Sequence, residues 1–381
     1  MRKIFAAAVV AAVAALGGWW LLAPEKGFGA IDGYVFVADS TAPQASVIDA
    51  VSDALVGSVA LPFVADHLLV SRALMRLLVL NRAEGVLAVV DLASGAVEHR
   101  IALGIAPDRM VLSPDGLRLA APDVAAGKVA LVNIADLSLT AVIEGMHRPE
   151  ALTFSADGTE LYLADNAQAA VVRIKVASGE MLAPLDLAGA GVVPGAAALS
   201  ALTRTPDGRM GFVTDAVGGK GYVIDLRDWQ ITKVIGLGNA PSRAYGTADG
   251  QFLLVANTGS RTISVIATDR FAVVATLPGV GDVTSIATGF FETLAYVVSA
   301  GERRAVVVDL ETLTVAGEVA LDGVPGQAVA DVDGKKLYVP LGGVGKVALI
   351  DVFNKRIGDL IIGTPAAPGA PAMAASNNYC H

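Results

Sequence analysis

A short motif, two apolar residues followed by a turn-forming one, recurs along this 381-residue chain at an almost constant spacing. The copies are Val47-Ile48-Asp49, Val89-Val90-Asp91, Leu131-Val132-Asn133, Val223-Ile224-Asp225, Val307-Val308-Asp309 and Leu349-Ile350-Asp351, with weaker ones at Ile174-Lys175 and Ile266-Ala267. Their third positions fall at 49, 91, 133, 175, 225, 267, 309 and 351, so every step is 42 residues except one of 50. A second marker keeps the same step: Asp115-Gly116, Asp157-Gly158, Asp207-Gly208, Asp249-Gly250 and Asp333-Gly334. A unit of this size cannot bury both faces of a small sheet alone, so the units must stack on one another.

Each unit reads as four strands. In the second, Leu77–Leu80 and Val86–Asp91 form the first pair, Val97–Leu103 the third strand and Asp108–Leu112 the fourth, ending at the Asp115-Gly116 turn. Asp-Gly suits a tight hairpin because both central positions can take positive φ. Runs of Val, Ile and Leu bounded by Gly, Pro and Asp are strand signals, and helical periodicity is lacking after the N-terminal segment. The pattern predicts an all-β fold, an eight-bladed β-propeller over residues 33–376, with a seven-bladed ring and one spare unit as the alternative. The first unit, Tyr34 to Leu61, lacks an inner strand, and the register places residues 369–375, including Pro371, as the strand that closes the ring. Proline is tolerable there because an inner strand is an edge.

Segments such as Leu161-Tyr162-Leu163-Ala164-Asp165-Asn166, the run from Leu254 to Ile266, and Leu337-Tyr338-Val339 resemble the YVTN-type propeller repeat. Gly104, Pro107 and Ser113-Pro114-Asp115-Gly116 match the second half of its pattern. The resemblance covers nearly all of residues 33–376. It implies the fold, while that family spans binding proteins, surface proteins, lactonase-like enzymes and haem-associated propellers.

The N-terminus has Arg2 and Lys3 followed by an uncharged apolar run from Ile4 to Ala23, with Trp19-Trp20 near its end. This reads as an export signal over residues 1–24, either cleaved or retained as a transmembrane anchor helix, with a linker at 25–32. The expected location is the periplasm, with the inner membrane as a partner through that helix. A net charge of −9 argues against nucleic acid. The only cysteine, Cys380, precludes an internal disulfide.

In a propeller, loops entering the inner strands share a face with the turns between second and third strands. On that face the start of the inner strands carries His67, Arg109, Ala151, Ala201, Arg243, Ser285, Gln327 and Gly369, with Asp108 and Glu150 beside the second and third. A ring with two arginines and a histidine would hold a small anionic ligand. Pairing of Arg109 with Asp108 or Glu150 is the competing reading. This polar ring is similar in kind to that of cytochrome d1-like eight-bladed propellers, and the similarity implies a haem with His67 as the one available ligand. The same face carries Asp39, Asn81, Asp123, Asp165, Asp215 and Asn257, which read as turn residues or as a cation-binding rim, and the extra residues 188–195. His99 and His147 read as solvated surface residues. The C-terminal tail, residues 377–381, brings Cys380 and His381 near Met373, a donor set suited to copper, and resembles the end of a haem-attachment motif.

No nucleophile elbow or zinc-protease motif is present. The reading is a non-catalytic binding or assembly module for a protein partner or small ligand. The alternatives are a redox or cofactor-handling protein using haem or copper and, on fold analogy alone, a lactonase-like hydrolase.

Overall fold

The computed structural model describes residues 31–289, 291–362 and 368–373. Their strands make eight sheets, each built on a meander of four antiparallel positions. Blade two shows the pattern: His67–Ser71, Arg76–Asn81, Val86–Asp91 and Val97–Ala102, from the ring axis outward. The last strand, Pro368–Met373, pairs antiparallel with Tyr34–Asp39 in the register Val35↔Met373, Phe36↔Ala372 and Val37↔Pro371. Blade one is therefore completed by the far end of the chain, as the repeat register predicts, and Pro371 sits on the inner edge.

The middle strands of each blade are buried on both faces, which explains apolar runs where a one-sided sheet would alternate. Successive residues serve opposite neighbours. Leu77 and Val79 pack toward blade one, whereas Leu78 and Leu80 pack toward blade three. The buried side chains fall into eight clusters, one for each contact between adjacent blades. The cluster that closes the circle joins Val329, Tyr338, Val347 and Leu349 of blade eight to Val35, Val37 and Ile48 of blade one. A seven-bladed ring with one spare unit would leave one of these apolar faces uncovered, at roughly 1.5–3 kcal/mol per large side chain.

Two features position the loops. The turns between second and third strands approach the loops entering the next blade, so Gly85 and Gly127, both at positive φ, each lie where a Cβ would meet a carbonyl oxygen (of Ile105 and Met146) at 2.3 Å. Only glycine fits there. The inner strand of blade three is shorter than the sequence suggests: the fourth strand read over Asp108–Leu112 is a strand only at Val111–Leu112, because the Met110 N–H leaves the ladder for His67.

The expected anchor over residues 1–24 and most of the linker lie outside the described residues, as do Cys380 and His381. Among the described residues no helix is long and apolar enough to cross a membrane.

Candidate functional site at the funnel mouth

The polar ring lies where the inner strands begin. His67 opens the inner strand of blade two and is partly buried. Its Nδ1 accepts the backbone N–H of Met110, in the next blade, at 3.2 Å. Burial, reinforced by the charge of Arg109, pushes its pKa down to about 4. At neutral pH the ring is uncharged, and because Nδ1 is an acceptor the single proton resides on Nε2. The same latch recurs at Ser285, whose Oγ accepts the Ala328 N–H at 3.0 Å, one blade on.

Arg109 is exposed, and the expected pairing with its acidic neighbours does not form. Asp108 is taken by Arg82, at 2.5 Å, and by the Val124 N–H. Glu150 is taken by Arg148, at 2.5 Å, and by the Asn166 side-chain amide at 2.7 Å. Both acids are therefore spent on loops of the same face, and no described residue neutralises the Arg109 guanidinium by a hydrogen bond or ion pair. Arg243 is half-buried, with its Nε donating to Thr203 Oγ1 of the preceding blade at 3.4 Å. Gln327 is exposed, between the two short inner segments Val324–Pro325 and Val329–Ala330 of blade eight. The ring thus divides into a cationic side at Arg109 and a more committed one at Arg243.

The rim of Asp and Asn residues is structural. Asp123 accepts the Ala106 and Ala126 N–H groups, and Asp165 those of His147, Ala167 and Gln168. Asp39 is capped by Thr41, Ala42 and Gln44; burial alone would raise its pKa, but these hydrogen bonds lower it. Asp39, Asp123, Asp165 and Asp215 are buried and accept backbone N–H groups, whereas buried Asn257 donates its amide to Thr262 and Ser264 and its Oδ1 has no hydrogen-bond partner. The four aspartates are committed to their turns and do not form a cation-binding rim.

The extra residues in blade four form a packed loop. Leu187 and Val192 join the core between blades four and five, Ala188–Ala190 make a single 3-10 turn, and Asn166 ties the loop down through the Leu199 N–H at 2.7 Å. His147 is exposed and bonded to Gln168, and His99 is exposed on the outer strand of blade two. Trp229 stacks on Tyr162, and the Arg173 guanidinium lies over its ring, 4.7 Å from the centroid.

Met373 is the last described residue. It pairs with Val35 at the end of the inner strand opposite to the funnel-mouth register, away from His67, and Cys380 and His381 lie outside the described residues. Among the described residues no cluster of three or more His, Cys, Asp or Glu is arranged to hold a metal. A haem-iron bond to His67 does not fit its geometry. A metal-bound imidazole donates its other N–H to an acceptor, whereas here that nitrogen accepts a backbone N–H and the proton occupies Nε2.

No protein-family model matches the chain. A stretch of 126 residues is 34% identical to the seven-bladed beta-propeller protein Rv1057 of Mycobacterium tuberculosis, and it covers 32% of this chain and 32% of that one. The match therefore spans about a third of the relative's length. Among solved structures, dihydro-heme d1 dehydrogenase NirN in complex with DHE superposes with a TM-score of 0.75 at 17% identity, over 93% of this chain and 78% of that one. Hydrazine synthase of Kuenenia stuttgartiensis gives 0.56 at 17% identity, over 74% and 93% of the two chains. A functionally unknown protein from Desulfotomaculum acetoxidans gives 0.59 at 12% identity, over 78% and 98%. What these proteins share with the chain is the β-propeller fold.

Proposed function

We propose that this chain is an exported, membrane-tethered binding module whose funnel mouth takes a small anionic ligand, or the carboxylate of a protein partner. The observation that carries this reading is Arg109: an exposed guanidinium at the mouth, deprived of both neighbouring acids by Arg82 and Arg148. Neutral His67 adds an Nε2–H donor beside it, and Gln327 an amide across the ring. Guanidinium groups bind carboxylates in bidentate fashion, each charged hydrogen bond contributing about 1.5–3 kcal/mol. Export and tethering rest on Arg2, Lys3 and the apolar run from Ile4 to Ala23.

The test is calorimetric titration with succinate, citrate and inorganic phosphate, against wild type and Arg109→Gln. Loss of roughly tenfold to a hundredfold in affinity on substitution is expected, the equivalent of about 1.5–3 kcal/mol. Equal affinities for the two proteins, or no binding by wild type, would refute an anion site at Arg109.

A second reading, haem or copper handling, draws on the structural likeness to NirN and on the Cys380-His381 tail. It requires a Soret band, or bound copper that is lost on Cys380→Ser, in protein purified from a periplasm. The His67 geometry disfavours the haem arm at the funnel.

A further inference from the structure

Four large apolar side chains more than half exposed lie on the face opposite the funnel mouth: Val51 (85%), Phe291 (82%), Phe353 (62%) and Val332 (51%). All four occupy turns of blades seven, eight and one. Val51 and Phe353 sit in outer turns, and Phe291 and Val332 in the inner hairpins. These turns abut one another. Lys336 Nζ bonds the Ala50 carbonyl and Asp53, Tyr296 OH bonds the Val352 carbonyl at 2.6 Å, and the Gly289 backbone packs against Gly334 and Val352. The side chains therefore form a patch across three consecutive blades, of the kind that marks an interaction surface.

One of these turns is strained in order to present its side chain. By the 42-residue register, Phe291-Glu292 stands where the blades on either side have Asp249-Gly250 and Asp333-Gly334, and both residues are at positive φ, 56° and 66°. That conformation disfavours side chains with a Cβ, and such strain is characteristic of functional surfaces. Glu292 is accounted for, since it folds inward to accept the Ala248 N–H and Thr288 Oγ1. Phe291 is 82% exposed.

The chain also enters the ring here. The strand Tyr34–Asp39 starts on this face, and the Gly33 carbonyl accepts the Ala50 N–H, beside Val51, at 2.7 Å. Thirty residues precede Ile31, and they include the apolar run Ile4–Ala23. We infer that this face is the membrane-facing surface, with Val51, Phe291, Val332 and Phe353 seated in the lipid interface while the funnel mouth points away into solvent. The inference rests on the tether in the proposed function. It commits to lipid as the occupant because a 20-residue apolar segment attached beside the patch holds a bilayer against it. The seating is apolar rather than electrostatic: Asp333 and Asp53 neutralise Lys335 and Lys336, and the net charge of −9 gives anionic lipid no attraction.

The experiment uses the full chain with Cys380→Ser, reconstituted into phosphatidylcholine vesicles. An environment-sensitive fluorophore is placed at Val51→Cys or Phe353→Cys, with Val193→Cys and Val217→Cys on the funnel face as controls. Flotation of the vesicles reports the tether independently. Blue-shifted emission and loss of most of it to brominated lipid at 51 and 353, with neither at 193 and 217, is the expected result. Protein that floats but shows no quenching at 51 and 353, or equal quenching on both faces, would overturn the surface and leave the tether standing. Protein that does not float overturns the tether and the surface together.

Discussion

On the funnel face, Asp165 reaches out of its own turn to accept the His147 N–H from the incoming loop, as well as two N–H groups of its own turn. On the opposite face, Asp157 bonds only within its own hairpin, to Ser155 and Thr159. At these two positions the same residue type ties separate segments together at one end of the ring and tightens a single turn at the other. Because the funnel-face bonds cross between segments, the mouth is held in one shape, and its exposed side chains, Arg109 above all, are displayed on a fixed frame. On the turn face the aspartates of the Asp-Gly hairpins make no such cross-ties; contacts between blades there come from other residues, such as Asp53 with Lys336 and Tyr338 and Glu292 with the Ala248 N–H. Blade seven departs from the Asp-Gly pattern at Phe291-Glu292.

That contrast is sharpened first by removing the two carboxylates. Asp165→Ala leaves three backbone N–H groups beside a buried gap and should cost about 3–4 kcal/mol, whereas Asp157→Ala should cost about 1 kcal/mol, read as shifts in denaturant midpoint. Similar losses at the two sites would break the distinction between a cross-tied aspartate and a locally tied one.

A smaller effect comes from His67. Its folded pKa, about 4, lies below the ordinary value of 6.5, so between these values the unfolded chain binds the proton that the folded chain refuses. Stability from this group is fully present above pH 6.5 and is lost as pH falls toward 4. The loss should amount to about 2 kcal/mol once partial exposure is allowed for, and His67→Gln should remove that part of the pH dependence in urea titrations at pH 7 and pH 4.5. An unchanged pH profile in the variant would place the imidazole outside the buried latch to Met110.

Much of the fold was legible from the repeat because blade geometry is local. The constant step located each turn, and adding one step to residues 327–333, which open blade eight, located the closing strand within a residue or two of Pro368–Met373. The site was legible only as a set of positions. Asp108 adjoins Arg109 in sequence, yet Arg82 claims it from a turn of the preceding blade. Glu150 goes to Arg148 because the positive φ of Arg148, 96°, turns the loop back on itself. The tautomer of His67 depends on a backbone N–H 43 residues away. Such contacts follow from how blades are set against one another, which spacing alone does not encode. The Phe291-Glu292 departure was visible as a gap in the Asp-Gly series, and its meaning emerged only from the burial of one residue and the exposure of the other.

Everything assigned to either face depends on the ring being closed by its own C-terminal strand. With Cys380→Ser as background, Val37→Cys and Pro371→Cys place two thiols opposite each other in the strand register, within the span that a disulfide tolerates. Mild oxidation followed by peptide mass mapping should yield one linked pair joining the peptides around 37 and 371, with full recovery of monomer. Two free thiols under the same conditions, or linkage only between separate molecules, would contradict the closed eight-bladed ring.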